Sequence, residues 1–292
     1  MRNAHNPQRL EAQYDNRARV PDFARYLSAW AESSALARQG SPQALLDLRY
    51  GHGAGETLDL FPAAASAPRA SSGAPVLIFL HGGYWRALDK SDSSFIAPVF
   101  NAHGAMVVVP NYALCPAVGI EHICLQLARA VAWVWRHAAE HGGDPTRIAL
   151  AGHSAGGHLA AMLLSCRWKE VDEQMPTQPL AGGLSISGLF DLEPLRHTPS
   201  LQADLQLTPT SVARLSPAFF ARPKGARLYA TVGLDESDEF LRQNRLIRDV
   251  WGPSAVPVCE TVPGVNHFSV LAGLADPRRR LHELALRLLG LR

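Results

Sequence analysis

A chain of 292 residues that is 47% hydrophobic and only 18% charged holds ample apolar material for a large buried core, which excludes an intrinsically disordered protein. A formal net charge of +2, with Lys and Arg scattered rather than clustered, excludes the electrostatic footprint of a nucleic-acid or anionic-membrane binder. The polar opening from Met1 to Pro7 lacks an apolar core of signal-peptide length, no run nears the ~18 apolar residues of a membrane span, and Cys115, Cys124, Cys166 and Cys259 form no CxxC pair, so a soluble cytoplasmic protein with reduced thiols is expected.

In chain order, residues 8 to 39 carry aromatic and aliphatic residues at helical spacing (Tyr14, Phe23, Tyr26, Leu27, Trp30, Leu36), which predicts one or two helices ahead of the main fold, packed over a functional site or onto a sheet. Leu45 to Tyr50 and Thr57 to Phe61, separated by Gly51-His52-Gly53-Ala54-Gly55, read as an antiparallel hairpin, and Ala63 to Pro75 as a surface loop. From there, short apolar runs at 76–80, 105–109, 147–151, 182–187, 227–232 and 256–262 alternate with helical patterns at 91–103, 120–141, 156–165, 238–250 and 276–289. Strands that are apolar on both faces and alternate with helices predict an α/β fold, a mainly parallel twisted sheet with helices on both faces. Residues 188 to 226 break the rhythm with Pro194, Pro199, Pro209, Pro217 and Pro223, and a crossover of that length predicts a cap or lid insertion. With no internal repeat and no dividing linker, residues 1–292 read as a single domain. The basic run Arg278 to Arg280 reads as a solvated helix start.

The chemistry concentrates at strand ends. The strand at 147–151 runs into Gly152-His153-Ser154-Ala155-Gly156, a G-x-S-x-G sequence, and then into an apolar helix. A tight strand-to-helix turn of this kind lifts a serine Oγ out of the sheet and sets it at a helix N-terminus, where developing negative charge is favoured. His81-Gly82-Gly83-Tyr84-Trp85 ends the strand at 76–80, and an HGG loop there supplies amide donors to an oxyanion; Gly82, Gly83 and Ala155 are the oxyanion-hole candidates. His267, in Val262-Pro263-Gly264-Val265-Asn266-His267, follows the last strand and is the candidate general base, whereas His153 reads as a packing or hydrogen-bonding residue and His81 as a brace for the oxyanion loop. Val232-Gly233-Leu234-Asp235-Glu236 offers two carboxylates at the end of the strand at 227–232; Glu236, three residues beyond the glycine, is preferred and Asp235 is the alternate. The order Ser, Asp or Glu, His is that of an α/β-hydrolase. His137-Ala138-Ala139-Glu140-His141 matches the H-x-x-E-H pattern of inverted zinc peptidases, but it ends a helix at the sheet edge opposite the expected site and reads as helix-end histidines, so no metal site is assigned.

Together these motifs resemble the α/β-hydrolase type of kynurenine formamidase (arylformamidase) and its bacterial esterase relatives. The likeness runs through Gln13-Tyr14-Asp15-Asn16-Arg17, the His81 to Trp85 block, Asn111-Tyr112-Ala113-Leu114-Cys115-Pro116, Gly152 to His158, and Glu239-Phe240-Leu241-Arg242-Gln243. It implies a cofactor-free serine hydrolase that cleaves small aryl formamides such as N-formylkynurenine, or small esters, with Ser154 as nucleophile, His267 as base and Gly82 and Gly83 in the oxyanion loop. The acid turn departs from the Asp-Ser-Pro-Glu-Phe of animal members: matching Glu239-Phe240 to that ending puts Glu236 in the aspartate's place and Asp238 in the proline's. Tyr84 and Trp85 are candidates for contact with an aromatic leaving group, or for structural roles.

Two other readings use the same residues: a general short-chain carboxylesterase, and a non-catalytic binding protein on the same fold. The expected partner is a small-molecule substrate, with no nucleic acid and no membrane; a homodimer is compatible with the sequence.

Overall fold

The structure is a computed structural model, and it describes residues 6–67 and 73–291. Most of the polar opening, and part of the loop expected over 63–75, lie outside the described residues.

Eight strands form one sheet in the order β1-β2-β4-β3-β5-β6-β7-β8: β1 Leu45–Arg49, β2 Thr57–Phe61, β3 Ala74–Leu80, β4 Met106–Pro110, β5 Gly143–His153, β6 Leu180–Ile186, β7 Arg227–Gly233 and β8 Val258–Val262. The β1/β2 hairpin is antiparallel as expected, and β2 is also antiparallel to β4. Every pairing from β4 to β8 is parallel. Parallel strands need covered faces, and β3 shows how the sequence meets that need: Val76, Ile78 and Leu80 join one apolar cluster while Leu77 and Phe79 join the other, all fully buried.

The helices divide between the faces. Ahead of the sheet come α1 Pro7–Tyr14, α2 Asn16–Arg19 and α3 Phe23–Gln39; within it come α4 Ala97–Ala102, α5 Ile120–His137, α6 Ala155–Leu164 and α7 Trp168–Val171. Beyond β6 come α8 Glu193–Arg196, α9 Pro199–Leu205 and α10 Pro209–Leu215, then α11 Asp238–Trp251 and α12 Arg280–Leu289. Ile123 and Leu127 of α5, Leu159 of α6 and Ile247 of α11 pack into the first cluster. Trp30 of α3, Phe100 of α4 and Leu284 of α12 pack into the second.

Several element boundaries differ from expectation, each for a local reason. The N-terminal segment makes three helices rather than one or two, because the Asp15 side chain accepts the N–H groups of Arg17 and Ala18 and starts a new turn, and Pro21 precedes the third helix. The helix expected over 91–103 begins as two 3-10 turns, Lys90–Asp92 and Ser94–Ile96, the first closed by a capping box between Asp89 and Asp92. Only Ala97–Ala102 is α-helical, with Pro98 in its first turn where a missing N–H costs nothing. The last helix starts at Arg280 rather than 276, since the Asp276 side chain accepts the Arg278 N–H and holds that turn out of the helix. Arg278 and Arg279 are exposed, as the solvated reading of that run expects.

The parallel register brings the C-terminal ends of β3, β5, β6, β7 and β8 to one edge. The loops that carry His81, Ser154, Ser187, Glu236 and His267 therefore meet there although they span most of the chain. Among the described residues, no helix is long and apolar enough to cross a membrane.

Candidate active site

Ser154 stands between β5 and α6 with φ +56° and ψ −117°, a conformation that costs an L-residue on the order of 1–3 kcal/mol. The surroundings impose it. The Ser154 N–H donates to the Ile186 carbonyl at 2.8 Å, and the flanking glycines leave no room for side chains: a Cβ on Gly152 would lie 2.1 Å from the Gly156 carbonyl oxygen, and one on Gly156 would lie 2.0 Å from that of Leu80. The G-x-S-x-G spacing is thus the steric condition for β5, β3 and α6 to close around the serine.

His267 follows β8, and its ring joins two oxygens. Nε2 lies 3.0 Å from Ser154 Oγ and Nδ1 lies 2.6 Å from Glu236 Oε2. All three side chains are buried. Nδ1–H donates to the carboxylate, which leaves Nε2 as the acceptor facing the serine hydroxyl. Asp235, the alternate acid, is exposed on the same turn, and among the described residues its side chain makes no bond to the imidazole. The structure therefore brings Ser154, His267 and Glu236 into one line and leaves Asp235 outside it.

The other oxygen of Glu236 is also occupied. Oε1 accepts the Gly233 N–H at 2.7 Å and the Ser187 hydroxyl at 2.5 Å. Ser187, at the end of β6, is fully buried and has φ +55°. It was not singled out from sequence; the available signal was a serine at the C-terminal end of the strand next to the acid-bearing one.

The HGG loop lies against the serine. A Cβ built on Gly82 would stand 3.2 Å from Ser154 Cβ, and Gly83, at φ +95°, lines the cleft above it. Ala155 opens α6, so its N–H has no intrahelical acceptor. His81 stacks on Tyr112 with ring centroids 4.1 Å apart, and the Tyr112 hydroxyl donates to the His81 carbonyl at 2.9 Å. The Cys115 N–H donates to the Trp85 carbonyl at 2.8 Å. The Asn111 to Pro116 block thus fixes the loop from behind, a role its sequence did not disclose.

His153 sits behind the base. Its Nε2–H donates to the His267 carbonyl at 2.8 Å, and burial, with the neighbouring His267, lowers it to about 3, so the ring stays neutral. This agrees with its reading as a hydrogen-bonding residue.

A cleft of about 700 Å³, including its solvent-open mouth, rises from Ser154 and His267, with walls that include Tyr14, Leu27, Trp30, Tyr84, Leu201 and Phe268. The N-terminal helices and α9 therefore build walls of the site rather than only covering the sheet. Tyr84 faces the cleft and donates its hydroxyl to the Tyr14 carbonyl at 2.8 Å; burial raises its phenol well above the usual range, so it remains a donor. Of the two roles open to it, Trp85 holds a position that fits the structural one. It is fully buried, packs edge-on against His158 at 4.9 Å, and does not line the cleft, because the chain turns through positive φ at both Tyr84 and Trp85 and sends the two rings to different sides.

His137 and His141 lie at the far end of the sheet, before β5. His137 Nδ1 bonds Glu140 at 3.0 Å, and both histidines pack on Trp133.

Comparison with known proteins agrees with this architecture. Residues 77–240 match a family model described as an alpha/beta hydrolase fold. Kynurenine formamidase of Danio rerio is 31% identical over 91% of this chain and 88% of its own length, and that of Salmo salar is 30% identical over 96% and 93%. A carboxylesterase of Mycobacterium tuberculosis is 41% identical over a shorter stretch of 99 residues, 30% of this chain and 28% of its own. Among solved structures, a protein of Silicibacter sp. provisionally described as a thioesterase superposes with a TM-score of 0.81 at 32% identity, over 94% of this chain and 98% of its own. An esterase of Pyrobaculum calidifontis shares the fold at a TM-score of 0.65 and 18% identity, over 92% and 93%. The chain belongs to the α/β-hydrolase fold family, as a hydrolase related along its length to the kynurenine formamidases.

Proposed function

We propose that this chain is an arylformamidase that hydrolyses N-formylkynurenine-like formamides through a formyl-enzyme on Ser154. The observation that carries the reading is the unbroken line of hydrogen bonds from Glu236 through His267 to Ser154 at the floor of an aromatic-walled cleft. The full-length kynurenine formamidase relatives support the substrate class.

The chemistry follows from the geometry. As Ser154 Oγ attacks the formyl carbon, its proton passes to His267 Nε2, and Glu236 stabilises the resulting imidazolium across the 2.6 Å bond. The carbonyl oxygen becomes an oxyanion that the amides beside Gly82, Gly83 and Ala155 receive, at the N-terminus of α6. Collapse of the tetrahedral intermediate breaks the C–N bond, and His267 gives its proton to the departing arylamine. Water, deprotonated by His267, then attacks the formyl ester and releases formate with Ser154 restored. A formyl group needs little room on the acyl side, so the cleft walled by Tyr84, Trp30 and Leu201 receives the leaving group, with residues 188–226 acting as its cap.

A short-chain carboxylesterase is the second reading, favoured by the local likeness to the mycobacterial carboxylesterase. The two separate on kcat/KM for N-formyl-L-kynurenine beside p-nitrophenyl acetate and butyrate, with Ser154→Ala as control. Preference for the formamide, lost in the variant, supports the formamidase; ester turnover with negligible formamide cleavage leaves the mechanism and removes the substrate. The four cysteines are free thiols, which suits the cytoplasmic setting we assign to the protein.

A further inference from the structure

The loop from Gly82 to Leu88 is held in a conformation that L-residues rarely adopt. After Gly83 at φ +95°, Tyr84, Trp85 and Leu88 also have positive φ, at +49°, +57° and +71°. Such a run persists only where the surroundings over-determine it. The Cys115 N–H holds the Trp85 carbonyl from behind, and the Tyr84 hydroxyl reaches the Tyr14 carbonyl. Arg86 supplies a hold of a different kind. Its N–H donates to the Gly83 carbonyl at 3.0 Å and closes the turn, and the chain folds back so tightly that a Cβ on Gly83 would stand 2.1 Å from the Ala87 carbonyl oxygen. Its guanidinium leaves the loop altogether: Nη1 donates to the Ser200 carbonyl at 2.7 Å and pairs with Asp204, both on α9. That helix is a firm anchor, because Leu201 and Leu205 are buried in the first apolar cluster and the Ser200 N–H donates to Glu11 of α1 at 2.9 Å.

We propose that Arg86 is a positioning residue for the oxyanion loop: its bonds to Ser200 and Asp204 tie the closing turn to α9 of the cap, so that the cap sets where the Gly82 and Gly83 amides point. This role rests on that loop being the oxyanion hole of the proposed mechanism, and it holds for formamides and esters alike. Arginine suits the task, since a planar guanidinium grips two acceptors in a fixed relative orientation. Both acceptors lie on α9, so the charge is neutralised there by Asp204 and acts through the loop rather than on the substrate. The amides meet full negative charge only in the transition state. A loosened loop therefore weakens the hold on an oxyanion and spares a neutral ketone of the same shape.

The test compares acetophenone and 2,2,2-trifluoroacetophenone as inhibitors of p-nitrophenyl acetate hydrolysis in the wild type, Arg86→Gln, Arg86→Lys and Asp204→Ala. Ser154 Oγ adds to the trifluoroketone carbon, its proton passes to His267, and the carbonyl oxygen becomes an alkoxide in the oxyanion hole with no leaving group; acetophenone binds without addition. The wild type should hold the trifluoroketone about a hundredfold or more tighter. That ratio should fall about tenfold in Arg86→Gln, and about threefold in Asp204→Ala, where the lost ion pair is partly exposed, with kcat/KM falling in parallel. Arg86→Lys keeps a cation for both acceptors and should stay within about threefold of the wild type. The double variant Arg86→Gln with Asp204→Ala should be no worse than Arg86→Gln alone, because the two side chains act as one tie. A ratio unchanged in Arg86→Gln and Asp204→Ala, whether both ketones keep their affinity or lose it equally, overturns the role and leaves the oxyanion hole standing. If the wild type binds the two ketones alike, the oxyanion reading itself fails and the role of Arg86 falls with it.

Discussion

Ser187 Oγ donates to Glu236 Oε1 at 2.5 Å, on the carboxylate oxygen opposite the one that receives His267 Nδ1. The carboxylate is thereby held from both sides, by β6 and by the histidine loop. Its orientation does not depend on the imidazole alone.

Removal of that hydroxyl has a predictable signature. Ser187→Ala leaves Oε1 with the Gly233 amide as its donor, frees the carboxylate to rotate, and leaves more of its charge to the imidazole. The expected outcome is a fall in kcat of about tenfold with little change in KM, checked by steady-state kinetics beside the wild type. A rise in KM with kcat unchanged would contradict a role for the hydroxyl in holding the carboxylate.

The two neighbouring carboxylates separate sharply. Glu236→Gln keeps the shape but removes the charge that stabilises the imidazolium and favours the wrong tautomer, so kcat should fall by about 10³–10⁴-fold, the scale seen when a triad acid becomes its amide. Asp235→Asn, at an exposed position, should stay within about twofold. Equal effects of the two substitutions would contradict the assignment of the acid.

Tyr84 ties the oxyanion loop to the N-terminal segment through its bond to the Tyr14 carbonyl. Tyr14 in turn donates its hydroxyl to the buried Glu239 at 3.1 Å, and Gln243 donates to Tyr14 at 3.2 Å. Tyr84→Phe leaves the Tyr14 carbonyl unsatisfied, so a stability loss of about 1–3 kcal/mol is expected. KM should rise as the cleft wall loosens, and denaturant melts together with steady-state kinetics check both effects.

Acid should destabilise the fold through its buried imidazoles. Burial lowers His158 to about 4, and its Nε2–H donates to the Leu215 carbonyl at 2.7 Å while Nδ1 is buried with no partner among the described residues. Above the ordinary histidine value of about 6.5 the ring is neutral in both states and contributes nothing to the pH dependence. Below it the unfolded chain binds a proton that the folded chain refuses, so stability falls with pH down to about 4 and then levels off. At pH 5 the loss is on the order of 2 kcal/mol, and His153, lowered to about 3, adds a similar amount. Urea melts at pH 7.5 and 5.0 should show the drop, and His158→Gln should reduce the difference between the two pH values by about one histidine's share.

Much of this architecture was legible in the sequence, for reasons of period and steric necessity. The apolar strands of 76–80 and 147–151, buried on both faces, cannot be read otherwise once helices separate them. The glycines around Ser154 announce a turn that tolerates no side chain. Glu236 is favoured over Asp235 by its spacing from Gly233 and by the match of Glu239-Phe240 to the family's acid turn, and the geometry places Glu236 against His267. What sequence could not supply was partnership between distant segments. Ser187 meets Glu236 across 49 residues and Tyr14 meets Glu239 across 225, and no local pattern encodes such a pairing. The two roles open to Trp85 could not be separated for a related reason. Two adjacent aromatics look equivalent in a string, but positive φ at both residues turns one ring into the cleft and the other into the core.

The proposed mechanism stands on Ser154 as the nucleophile, activated by His267. Its most direct test is mass spectrometry of the protein after reaction with a fluorophosphonate. A single adduct per chain is expected, on the peptide that contains Ser154, and no adduct in His267→Ala over the same interval. An intact mass after prolonged exposure of the wild type, or an adduct that maps to another residue, would contradict it.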